Sequence, residues 1–336
     1  MTDAGARTSG RARNRATRVL EAYCASRGWP ASAFRRAPEG RTNAVFLGDT
    51  LGVVVLVAAP GVGSDVVAHR MELARAVARQ APFVRPSADE PLPVTTDEGV
   101  LSVWDLVPTV PDRDVEAVGH AVARLHAVDG TALRVGSVAL GPARVMADTA
   151  AWIDGLARDG RLRPADARVL SSIDDRLLGV LGPPDAAATG LLHGDLYWPN
   201  VLTTSDGAVL CDADELGLGS PEYDVALLLD PDRGSLRATD VEAFASGYGA
   251  PVPDAATRRL LVQRSHLTFT LRLVEHAHSA RGRFWVDQWM AGWRRVAADP
   301  TAGIIPPRER SRLEQLGVVV RGPVERRRHD GPGDTD

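Results

Sequence analysis

The chain has 336 residues, 44% of them hydrophobic and 24% charged, which is enough to bury a core in two domains or lobes. Its formal net charge of −4 gives no overall attraction to nucleic acid or to an anionic membrane. Two cysteines cannot build a disulfide framework, and no apolar run suits a bilayer span or a signal peptide, so we expect a cytoplasmic protein.

The first third of the chain predicts a small β-rich lobe after a basic N-terminal segment. Hydrophobic periodicity and turn residues locate its elements. In chain order they are a basic, flexible arm over 1–15, a helix over 16–28, a hairpin of strands over 44–47 and 53–57, a helix over 65–80 that Ser64 or Asp65 could cap, and a strand over 100–103.

The remainder predicts a larger, mainly helical lobe, because apolar residues recur at helical spacing from 112 to 128 and beyond. A short β-rich stretch around 191–212 interrupts the helices. The prolines between Pro108 and Pro111 mark the natural boundary. We therefore divide the chain into an arm over 1–15, an N-lobe over 16–108, a C-lobe over 109–320 and a disordered tail over 321–336.

The chemistry is concentrated in one stretch of the C-lobe. Asp195 follows an apolar strand, and Asn200 comes five residues later. A predicted hairpin then returns the chain to Asp212, which it can bring close to Asn200. Such hard oxygen ligands suit Mg²⁺ that substrate phosphates and water also hold, while Asp195 could accept a hydroxyl proton. A turn role is the simpler explanation for any single one of these residues, but the spacing of the whole set favours phosphoryl transfer.

This stretch resembles the aminoglycoside phosphotransferases and their choline-kinase and homoserine-kinase relatives. His193-Gly194-Asp195 followed by Asn200 resembles their catalytic loop, and Asp212 resembles their metal-binding aspartate. The pattern continues at Gly217, Gly219, Pro221, Tyr223, Asp224 and Ala226. The resemblance implies an α+β, bilobal protein-kinase-like fold with a small antiparallel β-rich N-lobe and a larger, mainly helical C-lobe. It also implies Mg²⁺ as cofactor and ATP or GTP as phosphoryl donor.

The same resemblance implies a role for each matching residue. Asp195 becomes the catalytic base or hydroxyl-orienting residue, and Asn200 and Asp212 become the metal ligands. His193 is expected to pack behind the loop and not to carry protons, and Asp224 to anchor the loop through hydrogen bonds.

On the nucleotide side, the resemblance assigns the phosphate-covering loop to the segment that contains Arg41 and Asn43. The hinge is assigned to a run whose backbone would meet the base, and apolar side chains nearby are either walls of the base pocket or ordinary core. The hinge residues are Trp104, Asp105 and Leu106, and the apolar candidates are Val45, Val55 and Leu106.

One basic residue of the family pattern is missing. Relatives carry a lysine or arginine near Leu56 to hold the α- and β-phosphates, and this chain contains no lysine at all. Its usual acidic partner is matched by Glu72. Arg70 or Arg41 could supply the guanidinium instead, since arginine binds phosphate well. The alternative is a catalytically impaired nucleotide- or ligand-binding protein. Without lysine a P-loop is impossible, and the chain also lacks the motifs of a protein kinase.

The acceptor would be a hydroxylated small molecule such as an antibiotic, an amino alcohol, a sugar or a biosynthetic intermediate. Carboxylates such as Glu215 and Glu275 would suit a cationic acceptor, although acidic residues on helices are usually only solvated. Trp285 and Trp289 share one helical face, where they could bind a cationic acceptor or, more simply, fill the core. Monomer and homodimer both remain open.

Overall fold

The computed structural model describes the backbone over residues 3–37, 43–135, 138–183, 190–230, 238–277 and 280–301. Side chains are described over 15–37, 43–134, 139–183, 190–230, 238–277 and 282–301. The predicted tail over 321–336 lies outside these ranges. Among the described helices, none combines the length and apolar character that crossing a membrane requires.

The first lobe is built on an antiparallel sheet in the order β1-β2-β3-β5-β4. Two helices pack on its two faces, one before the sheet and one inserted between its third and fourth strands. Its elements are α1 (Asp3–Arg27), β1 (Arg35–Arg36), β2 (Ala44–Gly48), β3 (Val53–Val57), α2 (Ser64–Ala78), β4 (Val94–Thr96) and β5 (Gly99–Asp105).

Strand β3 shows how the sheet divides its side chains. Successive residues of a strand point to opposite faces. Val55 and Val57 are buried in a core with α1, whereas Val54 and Leu56 pack against the core that contains α2 and the second lobe. The sheet therefore has an outer face covered by α1 and an inner face directed at the second lobe.

The second lobe is mainly helical, with short strands that carry the loop chemistry. A core between α2, the first helix of this lobe and the short strands joins it to the first lobe, and a separate core lies among its later helices. Its elements are α3 (Val115–His126), β6 (Arg134–Val135), β7 (Val138–Ala139), α4 (Thr149–Arg158), α5 (Pro164–Leu181), β8 (Gly190–Leu192), β9 (Val201–Thr204), β10 (Gly207–Leu210), β11 (Gly217–Gly219), α6 (Glu222–Leu228), α7 (Ala238–Tyr248), α8 (Ala255–His276) and α9 (Ala280–Ala298).

The predicted hairpin over 44–47 and 53–57 forms as β2 and β3, with Phe46 opposite Val55. Helix α1 begins at Asp3, earlier than the predicted start at 16, so most of the expected arm is helical. The predicted side-chain cap of α2 is wrong: Gly63 occupies the cap position without a side-chain bond, and Asp65 lies in the first turn. There its charge favours the helix dipole instead.

Candidate active site

Asp195 and Asn200 lie in the loop between β8 and β9, and Asp212 follows β10. The side-chain Nδ2 of Asn200 donates a hydrogen bond of 2.9 Å to the backbone oxygen of Asp195. The backbone N–H of Cys211 donates to the backbone oxygen of Asn200 at 3.0 Å, which continues the β9–β10 pairing towards Asp212. The charge of Asp195 also acts on Asp212. The structure thus brings the two carboxylates and the carboxamide into one site.

Asp212 has an unusual backbone, with φ of +74°, a conformation that few non-glycine residues adopt. The residue is exposed to solvent, yet desolvation by the surrounding protein raises the pKa of its carboxyl. The negative charge of Asp195 raises it further. Desolvation and the charge of Asp212 likewise raise the pKa of Asp214 to about 6. Carboxylates that repel one another in this way create a position suited to a cation.

The oxygen donors at this position fit Mg²⁺. Because Nδ2 of Asn200 donates to the backbone, its Oδ1 remains as the atom that can ligate a metal. Asp212 adds a carboxylate, and Mg²⁺ in nucleotide sites commonly takes one or two protein ligands together with phosphates and water. Among the described residues, no group of three or more His, Cys, Asp or Glu side chains is arranged to hold a metal ion.

A buried carboxylate anchors the start of the catalytic loop. Asp224, on α6, is fully buried and accepts hydrogen bonds from the backbone N–H groups of His193 at 2.6 Å and Gly194 at 2.9 Å. Hydrogen bonds to an ionised acceptor are stronger than neutral ones. Asp224 therefore fixes the backbone immediately before Asp195.

Two residues that the sequence analysis missed hold Asp224 from behind. His126 Nε2 lies 3.1 Å from Asp224 Oδ2, and its Nδ1 lies 2.8 Å from the hydroxyl of Tyr248. Burial raises the pKa of Tyr248 to about 12. The two ring nitrogens of His126 thus link the Tyr248 hydroxyl to Asp224. His126 follows the buried Val122 by one helical turn, which marks its buried position on α3, but no local pattern connects it to Tyr248.

Gly194 and His193 bring the catalytic loop into close contact with the segment from Cys211 to Glu215. Gly194 has φ of +79°, and a Cβ built on it would lie 2.2 Å from the backbone oxygen of Glu215. The fully buried His193 places Nε2 2.8 Å from the backbone oxygen of Cys211, and the ring of Phe83 packs beside it at 5.9 Å. These contacts suit a packing role for His193.

Comparison with known proteins identifies the family. The sequence model of the phosphotransferase enzyme family matches residues 33–261. The chain belongs to this family. No curated protein matches its sequence closely enough to support a relationship.

Similar solved structures agree with this membership and show the fold. Amicoumacin kinase in complex with AMP-PNP and Ca²⁺ superposes with a TM-score of 0.56 at 15% identity, covering 81% of this chain and 89% of that one. The GDP and kanamycin complex of APH(2″)-IIia gives 0.53 at 15%, covering 79% and 92%. An aminoglycoside phosphotransferase of Streptomyces rimosus gives 0.53 at 21%, covering 75% and 98%. The predicted bilobal, kinase-like α+β fold is confirmed.

On the nucleotide side of this phosphotransferase, the inner face of the sheet carries Val45 and Trp104. Val45 pairs with Leu56 in the sheet, and Trp104 pairs with Val54. Val55 is fully buried on the outer face, so the structure does not bring it to the cleft. Neighbouring residues of a strand face opposite ways, so Leu56 lies on the inner face and Val55, a candidate wall of the base pocket, lies on the outer face.

The backbone of the predicted hinge is partly engaged within the protein. The N–H of Asp105 donates to the oxygen of Arg85 at 3.0 Å, and the N–H of Leu106 donates to the oxygen of Gly52 at 2.9 Å. These two N–H groups already have acceptors, so a nucleotide base bound at the hinge would have to form hydrogen bonds with other backbone atoms. In the phosphate-covering loop, Arg41 lies outside the described residues, and Asn43 is half-buried.

Arg70 reaches the active site from α2. Its Nη1 lies 3.0 Å from Asp214 Oδ2, and both side chains are about four-fifths buried. Its charge also opposes the rise in the pKa of Asp212. Glu72 is exposed on α2, while Leu56 packs in the apolar core. The guanidinium of Arg70 thus lies beside the carboxylates that follow β10.

The acceptor side contains two arginines that the sequence analysis missed. Arg144 Nη1 donates to Glu215 Oε1 at 2.8 Å, and Arg272 Nη1 donates to the same oxygen. Burial lowers the pKa of both guanidiniums, and the charge of Asp195 opposes the effect in each. The sequence predicted carboxylates that would bind a cationic acceptor. In the structure, the carboxylate of Glu215 instead binds two arginines.

The other predicted acceptor residues have different surroundings. Trp289 is buried in the core of the later helices, where its ring packs against Phe269, and Trp285 is half-buried beside the ring of Phe284. The side chain of Glu275 is 43% exposed near the end of α8. Core packing therefore accounts for Trp289.

Proposed function

We propose that the protein transfers the γ-phosphoryl group of ATP or GTP to a hydroxyl group of a small molecule, with Mg²⁺ bound beside the nucleotide. The observation that carries this proposal is the junction of Asp195, Asn200 and Asp212, held together by the backbone of the loop and the hairpin. Membership of a phosphotransferase family supports the same reaction class.

Asn200 Oδ1 and the Asp212 carboxylate would hold the metal. Mg²⁺ bound there would neutralise charge on the β- and γ-phosphates as it builds up in the transition state. The left-handed backbone of Asp212 turns its carboxylate out of the strand direction, and the hydrogen bond from Asn200 to Asp195 keeps the ligand next to the base.

Asp195 would orient the acceptor hydroxyl and take its proton. The acceptor oxygen forms a bond to the γ-phosphorus while the bond from that phosphorus to the bridging oxygen breaks, and the nucleoside diphosphate leaves. The proton then passes from Asp195 to solvent. Because Asp224 fixes the two backbone N–H groups just before Asp195, the carboxylate needs little rearrangement to reach this geometry.

Arg70 is our candidate for the cation that the family places on the strand. Its partner in this structure is Asp214, and its charge already reaches Asp212. A guanidinium has five N–H donors, so Arg70 could bind a phosphate while retaining Asp214. The helix would then take over a task that Leu56 on β3 cannot perform.

The test of the base is Asp195→Asn with Asp206→Asn as its control. Asp206 is exposed in the turn between β9 and β10 and changes charge equally. Transfer is measured with Mg²⁺ and ATP or GTP against a panel of hydroxylated metabolites and aminoglycosides. We expect Asp195→Asn to lower kcat by about 10²- to 10⁴-fold with an unchanged melting temperature, and the control to be active. Full activity of Asp195→Asn would reject its assigned role.

The test of the cation is Arg70→Gln beside Arg79→Gln, an exposed arginine at the end of α2. We expect the first change alone to weaken nucleotide binding by about tenfold, the loss of one charge-assisted phosphate contact. Equal nucleotide affinity in both variants would place the phosphate cation elsewhere. Nucleotide binding without transfer to any acceptor would favour the alternative of a non-catalytic binding protein.

A further inference from the structure

A pocket opens directly beside the proposed base. It is formed by the catalytic loop, the segment before α4, α6 and the middle of α8. Two hydroxyl-bearing residues and the rings of His266 and Phe269 contribute to its wall. The lining residues are Arg144, Val145, Gly194, Asp195, Leu227, Ser265, His266, Thr268 and Phe269. Its place next to Asp195 makes it the candidate acceptor site of the proposed reaction.

The charges around this pocket are unusual for a site that would receive a cation. Arg144 lines it, and Arg272 lies beside Arg144 because both guanidiniums donate to the same oxygen of Glu215. Two cations therefore share one carboxylate. Burial and the charges of Arg144 and Arg70 lower the pKa of Arg272, while Asp214 and Asp195 act in the opposite direction.

Part of the Arg144 guanidinium is also unsatisfied. Its Nε atom is buried and has no hydrogen-bond partner among the described residues. A buried donor without a partner costs free energy, and an anionic acceptor would offset that cost. The Arg272 side chain is 38% exposed, so it can turn towards a ligand.

The carboxylates near these arginines do not suit a cationic acceptor. Asp214 is paired with Arg70. Glu215 is already neutralised by Arg144 and Arg272, and a cation would have to displace both from it. Asp195 lines the pocket, but its proposed task is to orient the hydroxyl. An ammonium group placed here would face Arg144 at close range, and like charges brought together in a protein interior repel strongly.

We propose that the acceptor is a small hydroxylated anion, whose carboxylate or phosphate group binds Arg144 and Arg272 while its hydroxyl lies at Asp195. This inference rests on the proposed function. It deepens that function by naming the substrate class, and it replaces the expectation of a cationic acceptor.

The test uses four hexoses that differ mainly in one substituent: glucose, glucosamine, glucuronate and glucose 6-phosphate. Binding to the full chain is measured by calorimetry, so the readout does not depend on transfer. We expect at least one of the two anions to bind about tenfold or more tightly than glucose, and glucosamine to bind more weakly than glucose. The two anions distinguish a carboxylate site from a phosphate site.

Substitutions test whether the preference for an anionic ligand depends on the two arginines. Arg144→Gln and Arg272→Gln should each reduce the preference for the anion, whereas Arg295→Gln, at an exposed position of α9, should retain it. Glu215→Gln gives the sharpest contrast. It removes the competing carboxylate and should strengthen anion binding, while a cation site would be weakened by the same change.

The inference is overturned if neither anion binds better than glucose, if glucosamine binds best, or if Glu215→Gln weakens anion binding. Failure of the proposed function has a different signature. In that case no acceptor receives phosphate from any nucleotide, although the anion preference and its dependence on Arg144 and Arg272 persist.

Discussion

Replacing Gly194 with alanine tests how closely the catalytic loop is held against the chain beyond Asp212. The new Cβ would lie 2.2 Å from the backbone oxygen of Glu215, where ordinary contacts begin at 3.4 Å. The obstacle is backbone, so no side-chain rotation relieves it. The left-handed φ of +79° adds a second penalty for any residue with a Cβ.

These two terms set the expected size of the effect. Left-handed backbone costs roughly 1–2 kcal/mol for a residue with a Cβ, and forcing an extra carbon into a packed site costs about 1–3 kcal/mol. We therefore expect Gly194→Ala to lose about 2–5 kcal/mol of unfolding free energy, measured by urea denaturation. A displacement of the loop by about 1 Å would also lower the transfer rate by about 10²-fold.

Gly160→Ala is the matched control. Gly160 has φ of +68° in the turn after α4, but a Cβ there would meet no atom within 4 Å. It should show the backbone penalty of roughly 1–2 kcal/mol and full activity. If the two variants lost equal stability and both remained active, the tight contact between Gly194 and Glu215 would not be part of the native structure.

Three further substitutions probe other parts of the fold. Asp224→Asn should destabilise by about 2–4 kcal/mol in urea denaturation, since an amide cannot accept all the bonds that meet there; a neutral result would contradict the anchor. Asp174→Ala should cost about 3–5 kcal/mol because it leaves Arg264 buried without its ion pair, and the double change to Asp174→Leu and Arg264→Met should cost less. Gly247→Ala, whose Cβ would lie 1.9 Å from a backbone oxygen of α3, should lower the melting temperature, whereas Gly155→Ala in α4, with open space around it, should not.

The sequence predicts well how the stretch from Asp195 to Asp212 folds, because the relevant information is local. Asp195, Asn200 and Asp212 lie within one loop and one hairpin, and the hairpin register follows from a short turn and alternating apolar residues. The fold class was accessible for a related reason. The β-rich run before Pro108 and the helical periodicity after it separate the lobes along the chain.

Long-range contacts were not predictable in the same way. His126 and Tyr248 are 122 positions apart, and Arg272 is 57 positions from Glu215. No periodicity encodes such pairs, since each partner has a plausible local role as a helix residue. The strand residue Val55 shows another limit: one-residue alternation decides whether an apolar side chain faces the cleft, and the sequence does not say which face that is.

The missing strand lysine shows that the position of a charge in the fold is more informative about phosphate binding than the presence of a motif residue in the sequence. From sequence, Leu56 suggests a defective nucleotide site. In the folded chain, Nη1 of Arg70 on α2 lies 3.0 Å from Oδ2 of Asp214, and its charge acts on Asp212, the proposed metal ligand, so a cation lies beside these acids. Phosphate binding depends on where a guanidinium or ammonium lies and not on which backbone segment carries it. If the proposed role of Arg70 is right, nucleotide binding should depend on Arg70 and not on the identity of residue 56.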